Sequence, residues 1–260
     1  MGKLKKIDLL VFLGSVTVLA ISAFFILFTG KQNNDNANDG EQTSGNEGTE
    51  IFWGVDSASK VDGDMFQCVA ENFGEPRVWG RYLVDIQDVS VSIDKEEAAL
   101  LHQKDVDILA IYNAVTDATG QEAGIDHANK AIEIAKSLDI PDGVVLIVDI
   151  EPSFPIDTAF LEGWYNTITN SPYSPGVYGI FDDESDLLTA FTARDKKVQE
   201  NMIVWTAFPQ VEITTKENAP EYNPQGPENS MLYGWQYGIE SDACAIDTNL
   251  FKEEILDYLW

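Results

Sequence analysis

The sequence predicts an α/β barrel of the (β/α)8 kind, with fewer helices in its last third and one transmembrane helix ahead of it. Three observations predict it. Eight strand-like segments follow one another between Ile51 and Asn249, with helix-like segments between the earlier ones. Chemistry-bearing side chains recur at the C-terminal ends of these strands, where barrels of this class build sites from several strands at once. Leu9 to Thr29 carries no charge and is long enough to cross a bilayer as a helix.

Lys3, Lys5 and Lys6 precede that apolar run and favour a cytoplasmic N-terminus with an exported C-terminal domain. A cleaved signal peptide is the rival reading. Its apolar region is normally shorter, and Ile21-Ser22-Ala23 is a poor cleavage site with more apolar sequence after it. Residues 1–30 are thus expected to be a signal anchor. Residues 31–50 are Asn, Gly, Glu, Asp and Ser with no apolar residue larger than Ala before Ile51, the composition of a disordered tether. The barrel is expected over 51–260, a length that supports one sizeable core.

Within it, Ile51–Asp56 reads as a strand and Asp64–Phe73 as a helix closed by Gly74. Arg77–Leu83 is a strand, and Asp94 caps a helix through Gln103 with Glu97 at the capping-box position. Asp107–Ala114 is a strand. Glu122–Leu138 follows as an amphipathic helix with Ala128, Ala131, Ile132, Ala135 and Leu138 on one face. Next come the strand 143–151, a helix near 157–169, the strand Gly176–Phe181 and a helix Glu184–Glu200. Met202–Phe208, Met231–Tyr237 and Ala245–Asn249 read as strands with little helix between them, and Lys252–Leu259 as a closing helix. The polar segment 209–230 is expected to form a loop over one mouth of the barrel.

The chain carries 16 Lys+Arg against 44 Asp+Glu, a formal charge of −28. Residues 1–50 hold four of the basic and six of the acidic residues, which leaves −26 on 51–260. Such a field repels nucleic acid and polyanions and favours neutral or cationic partners. No Walker loop and no Gly-x-Gly-x-x-Gly occurs, so nucleotide binding has no support. With only His102 and His127, both on predicted helices and His127 on a solvent face, a His-based zinc site or a Ser-His-Asp triad lacks parts. No cofactor is expected. Cys68 and Cys244, the only cysteines, suit a disulfide in an oxidising compartment; two small buried thiols are the alternative.

The most informative stretch is Gly143-Val-Val-Leu-Ile-Val-Asp149-Ile-Glu151-Pro152. It reads as a buried strand stopped by Pro152. A strand's side chains alternate, so Asp149 and Glu151 emerge on one face with Cα atoms about 6.6 Å apart. Two acids so close at an apolar rim cannot both ionise cheaply. One should hold its proton toward neutral pH, as a general acid must.

Other candidates at strand ends are Asp56, Arg81 with Tyr82, Tyr112 with Asn113, Tyr178, Trp205, Gln236 and Asp247. Asp56 serves either the site or a local cap before Ser57-Ala58-Ser59, and Asp247 either the site or a polar turn. Arg81 is expected to pair with a carboxylate, Asp56 or Asp149. Arg81, Tyr82, Tyr112, Tyr178, Trp205 and Gln236 are candidate substrate-binding residues, the aromatic ones as stacking faces for sugar rings. A Ca²⁺ site built from Asp56, Asp149, Glu151 and Asp247 is a weaker alternative.

Several stretches carry a resemblance. They are Gly54-Val-Asp56-Ser, Trp79-Gly-Arg81-Tyr82-Leu, Gly124-Ile-Asp-His-Ala128 running on to Ala135-Lys-Ser-Leu138-Asp-Ile-Pro141-Asp-Gly143, Val148-Asp149-Ile-Glu151, and Gly176-Val-Tyr178-Gly179. In these the chain resembles a glycoside-hydrolase-like domain family of unknown function, typified by a secreted mycobacterial protein. More distantly it is similar to the family 25 glycoside hydrolases, the cell-wall lysozymes, whose late elements are matched by Trp235-Gln236-Tyr237 and Asp247-Thr-Asn249. The resemblance covers essentially all of 51–260. It implies that Glu151 is the general acid, that Asp149 stabilises oxocarbenium charge or orients an acetamido group, and that Asp56 and Asp247 complete an acidic floor. The expected function is hydrolysis of cell-wall glycan of the peptidoglycan type by an extracellular, membrane-anchored domain. A non-catalytic glycan-binding module on the same barrel is the alternative.

Overall fold

The computed structural model describes residues 49–260. The anchor expected at 1–30 and nearly all of the tether lie outside the described residues; among those described, no helix is long and apolar enough to cross a membrane. Eight strands close into a barrel in chain order: β1 (Ile51–Ser57), β2 (Val78–Tyr82), β3 (Asp107–Tyr112), β4 (Val145–Asp149), β5 (Ser174–Gly179), β6 (Ile203–Thr206), β7 (Met231–Gly238) and β8 (Asp247–Lys252). Six helices lie between the early strands: α1 (Gly63–Asn72), α2 (Lys95–Gln103), α3 (Gln121–Ser137), α4 (Thr158–Thr169), α5 (Asp186–Thr192) and α6 (Lys196–Gln199).

Strands β1 to β7 run parallel, but β8 is antiparallel to both β7 and β1. This corrects the regular eightfold repeat. The eight residues between β7 and β8 form a hairpin-length link, too short for the helical crossover that a parallel pair needs. Asp247 therefore opens its strand instead of ending it, yet stands at the same mouth as Asp56, its register partner on β1.

Alternation sorts the side chains into two layers. Val78, Leu109, Ile111, Val145, Ile147, Ile203, Trp205 and Phe251 fill the barrel, while Trp53, Val55, Trp79, Ala110, Tyr112, Leu146 and Val148 face the helices. Gly234 makes the inner layer fit: a Cβ there would meet the Trp205 ring at 2.7 Å and Phe251 at 3.1 Å. A bulge near the start of β7 and another near its end adjust the pleat on either side of Gly234, so that Gln236 comes opposite Asn249.

Three further expectations are corrected. The helix expected at 184–200 is broken between α5 and α6. There Arg194 turns inward to donate to the Thr158 carbonyl and Glu162, and its own carbonyl accepts from the Gln199 side chain. The closing helix is a 3-10 turn, Glu253–Tyr258, whose Ile255 enters the inner layer and plugs the end opposite the β1–β8 carboxylates. Segment 209–230 reaches the mouth only at Gln210 and does not roof it. It runs along the outer face of β7, where Val211 N–H donates to the Tyr237 carbonyl, Tyr222 packs on Trp235, and Trp235 Nε1 donates to the Pro209 carbonyl. Trp235 and Tyr237, outward on β7, are buried, and this segment covers them where a helix is missing.

Candidate active site

The open mouth is built from strand ends. Asp56 is the sixth residue of β1, inward by alternation and buried. Its Oδ2 accepts from Gln236 Nε2 at 3.0 Å and from Asn249 Nδ2 at 2.7 Å. The same Gln236 Nε2 reaches Asp247 Oδ2 at 3.2 Å, while Gln236 Oε1 accepts from the Tyr178 hydroxyl at 2.6 Å. Asp247 Oδ1 accepts the Glu240 N–H at 2.7 Å. One amide on β7 thus links two carboxylates and a phenol from three other strands.

Asp149 ends β4 two residues after inward Ile147 and faces the same interior. It is 7% exposed, and its Oδ1 has no hydrogen-bond partner. Glu151, just past the strand, is half-buried and lines a cleft of about 280 Å³ with Tyr82, Tyr178, Gln210, Gln236 and Asp247.

Removal from water dominates the electrostatics. Burial, then the nearby Asp247 charge, pushes the Asp56 carboxyl up to about 7, against the opposing pull of its Asn249 and Gln236 donors. Burial, then Glu151 and Asp56, holds the Asp149 carboxyl well above the usual range. Glu151 is raised by burial and then by Asp247, and Asp247 by burial and then by Glu240. The group therefore carries protons toward neutral pH. A half-buried acid that keeps its proton while lining an open cleft can donate it to a bound ligand.

Two of the predicted substrate contacts lie elsewhere. Arg81 is fully buried on the outer side of β2, where it pairs with Glu97 of α2 and donates to the Ser57 and Val91 carbonyls. Its expected partner, Asp56 or Asp149, is on the opposite face of the sheet. Glu97 accordingly does not close a capping box: it binds Arg81 and the Val61 N–H, while Asp94 alone caps α2. Tyr112 also points outward, and its hydroxyl meets His127 Nδ1 at 3.0 Å, so His127 is half-buried instead of on a solvent face. Trp205 is inward but sits 2% exposed below Tyr178, with its Nε1 on Asn249 Oδ1, as a floor without a stacking face. Among the described residues, no group of three or more His, Cys, Asp or Glu side chains could hold a metal ion.

The profile of the Rv2525c-like, glycoside hydrolase-like domain matches residues 76–238, a span that includes Asp149, Glu151, Tyr178 and Gln236. An uncharacterized B. stearothermophilus protein, solved at 1.07 Å, is 34% identical over 80% of this chain and 100% of its own, with a TM-score of 0.78. The chain belongs to the Rv2525c-like glycoside hydrolase-like domain family. At the level of fold alone, the Rv2525c-like barrel is also similar to the modular autolysin LytC from Streptococcus pneumoniae. That match has 13% identity and a TM-score of 0.52, over 77% of this chain and 46% of LytC. Comparison with curated proteins gave no match.

In this Rv2525c-like domain the four predicted acids, Asp56, Asp149, Glu151 and Asp247, meet at one mouth, with Tyr82, Tyr178 and Gln236 beside them. Asn249 was not among the residues predicted for the site. It lies two residues after Asp247, which on a strand is the same face, so the spacing carried that signal. Asp182, Glu184 and Asp186, beside the cleft, carried no such signal because they lie on a loop and the first turn of α5.

Proposed function

We propose that this Rv2525c-like domain hydrolyses cell-wall glycan of the peptidoglycan type, with Glu151 protonating the leaving glycosidic oxygen. The observation that carries the reading is Glu151 itself: a half-buried carboxyl with a raised pKa that lines an open cleft beside two tyrosines and Asp247. Asp149, desolvated and holding its proton, suits hydrogen bonding to a substrate acetamido group better than supplying charge. Stabilisation of an oxocarbenium-like transition state falls to the less buried Asp247. Tyr82 and Tyr178 offer faces for sugar rings. LytC, part of which has a similar fold, has been solved in complex with a synthetic peptidoglycan ligand, which supports the substrate class.

We place the domain outside the cytoplasmic membrane, held by the apolar segment Leu9–Thr29. The basic residues before that segment and the disulfide between Cys68 and Cys244 support this. Protease digestion of the domain on intact cells tests it.

A glycan-binding module is the second reading. Asp56 and Asp247 are already held by Gln236, Asn249 and the Glu240 N–H, as a rigid binding floor would also require. The full-length protein and its Glu151→Gln variant, assayed for new reducing ends from purified peptidoglycan across pH 4 to 8, separate the two. Loss of at least about a hundredfold in the variant supports acid catalysis. Retention of the wall material by both proteins with no release by either supports the binding module.

A further inference from the structure

A second hollow, of about 300 Å³, adjoins the cleft at Asp247 and Glu240, which line both; Glu151 lines the cleft but not this hollow. It opens between the turn that follows β1, with Ala58 and Ser59, and the β7–β8 link, with Ala245 and Ile246. Both walls are fixed from within the protein. The Ala58 carbonyl accepts the Val91 N–H, and the Ser59 carbonyl accepts the Ser57 hydroxyl. The link is tied to α1 through Cys68–Cys244, and the Ser241 N–H donates to the Ile246 carbonyl. A hollow whose walls are set in advance asks little ordering of itself when a ligand enters.

Asp56 gives the hollow a polar base. Its carboxyl is 2% exposed and lines this hollow but not the cleft. Oδ2 is taken by Gln236 and Asn249, whereas Oδ1 accepts nothing from the described residues. Among those residues the only enclosed side-chain atoms without a partner are Asp149 Oδ1 and Arg194 Nε. Asp56 Oδ1 therefore reaches open space, and the space that Asp56 lines is this hollow. With two N–H donors on Oδ2, the proton of the neutral carboxyl belongs on Oδ1, which then offers an O–H to an uncharged oxygen. Small apolar walls over one polar group match a sugar unit, which has C–H faces and hydroxyl edges. A carboxylate would meet Asp56, Asp247 and Glu240 together and is disfavoured.

Resting on the glycan reading above, we infer that this hollow is a second sugar subsite, which seats the next, uncharged unit of the chain held in the cleft. A hydroxyl or acetamido oxygen of that unit meets Asp56 Oδ1, and its C–H face lies on Ala58, Ala245 and Ile246. The mouth thus reads two consecutive units of a glycan, one on each side of Asp247.

Titration calorimetry on the full-length protein at about pH 6, where Asp56 keeps its proton, tests this with N-acetylglucosamine and its β-linked dimer. The dimer is expected to bind at least about tenfold more tightly than the monosaccharide. Ala245→Phe and, from the opposite wall, Ser59→Phe each place a ring in the hollow. Either should cut the gain to about threefold or less, while monosaccharide affinity changes less than about twofold. Both positions are exposed, so both variants should keep the wild-type guanidinium midpoint, which is measured beside the titrations. A dimer that binds no better than the monosaccharide overturns the inference, as does a full gain in the folded variants. Failure of both sugars to bind overturns it together with the glycan reading. A gain that the variants remove, with no reducing ends released from peptidoglycan, upholds the subsite and removes only the hydrolysis.

Discussion

Asp56 and Asp247 face each other as register partners across the β1–β8 seam, and one side-chain amide, that of Gln236, donates to both. The antiparallel β8 makes this possible, because it brings the start of one strand to the end of another. Two carboxylates on one donor, one buried and the other half-buried, cannot both be ionised without cost. The shared donor fixes their positions more than it relieves their charge, which is why burial and the Asp247 charge outweigh it at Asp56.

Stability should consequently fall as pH rises. The Asp56 carboxyl is raised to about 7 in the folded state, so the folded state holds its proton more tightly than the unfolded chain does. That contribution is complete below the unfolded carboxyl pKa of about 4 and is lost as pH climbs through about 7. Asp149 has the same sign. Denaturant titrations at pH 5 and pH 8 should differ by on the order of 2–4 kcal/mol in favour of pH 5, and Asp56→Asn should flatten the profile. A profile that is flat or rises over this window would contradict the electrostatic description of the mouth.

The Asp247 charge helps to keep the proton on Glu151. In Asp247→Asn that neighbour is gone, and the Glu151 carboxyl should titrate at lower pH. The alkaline limb of kcat/KM on peptidoglycan should then move toward acid pH, whatever happens to the maximum rate. An unmoved limb would mean that a group other than Glu151 supplies the proton.

Arg81 offers a test of the corrected geometry. It and Glu97 are a fully buried pair, completed by the Ser57 and Val91 carbonyls. Glu97→Gln should cost roughly 3–5 kcal/mol because it strands a buried guanidinium, while the apolar double change Arg81→Met/Glu97→Leu should recover much of that loss. Neither should alter glycan affinity in the protein that remains folded. A loss of affinity at unchanged stability would return Arg81 to the binding site.

Alternation explains which candidates were legible in the sequence. Asp149 and Glu151 share parity with inward Ile147, so their convergence followed from spacing alone. Arg81 and Tyr82 were both proposed for the site, as was Tyr112, but successive residues on a strand face opposite sides. Val78 and Ile111 are inward, which sends Arg81 and Tyr112 outward and Tyr82 inward. The strand count and order were also readable. The direction of β8 was less so, because a short polar link marks a hairpin only once both flanking strands are placed. The capping-box pattern at Asp94 misled for a related reason: local spacing cannot see Arg81, sixteen residues before Glu97.

The disulfide bears on the site as well as on stability. Cys68 of α1 is joined to Cys244 in the β7–β8 link, across 176 residues. The chain-entropy model gives about 5 kcal/mol for so long a loop, and measured values usually fall somewhat below it. Cys68→Ala/Cys244→Ala, or reduction of the wild type, should lower unfolding free energy by roughly 3–5 kcal/mol in guanidinium titrations. The same link carries Glu240, whose N–H holds Asp247 Oδ1 and whose side chain lines the cleft. Freed of its tether, the link should exchange amide hydrogens faster over 239–246, while β2 to β4 keep their protection under native conditions. If Asp247 depends on that N–H for its position, the reduced protein should also lose activity before it loses fold. Equal exchange in the oxidised and reduced proteins would show that the hairpin needs no tether, and would confine the bridge to a role in the unfolded chain.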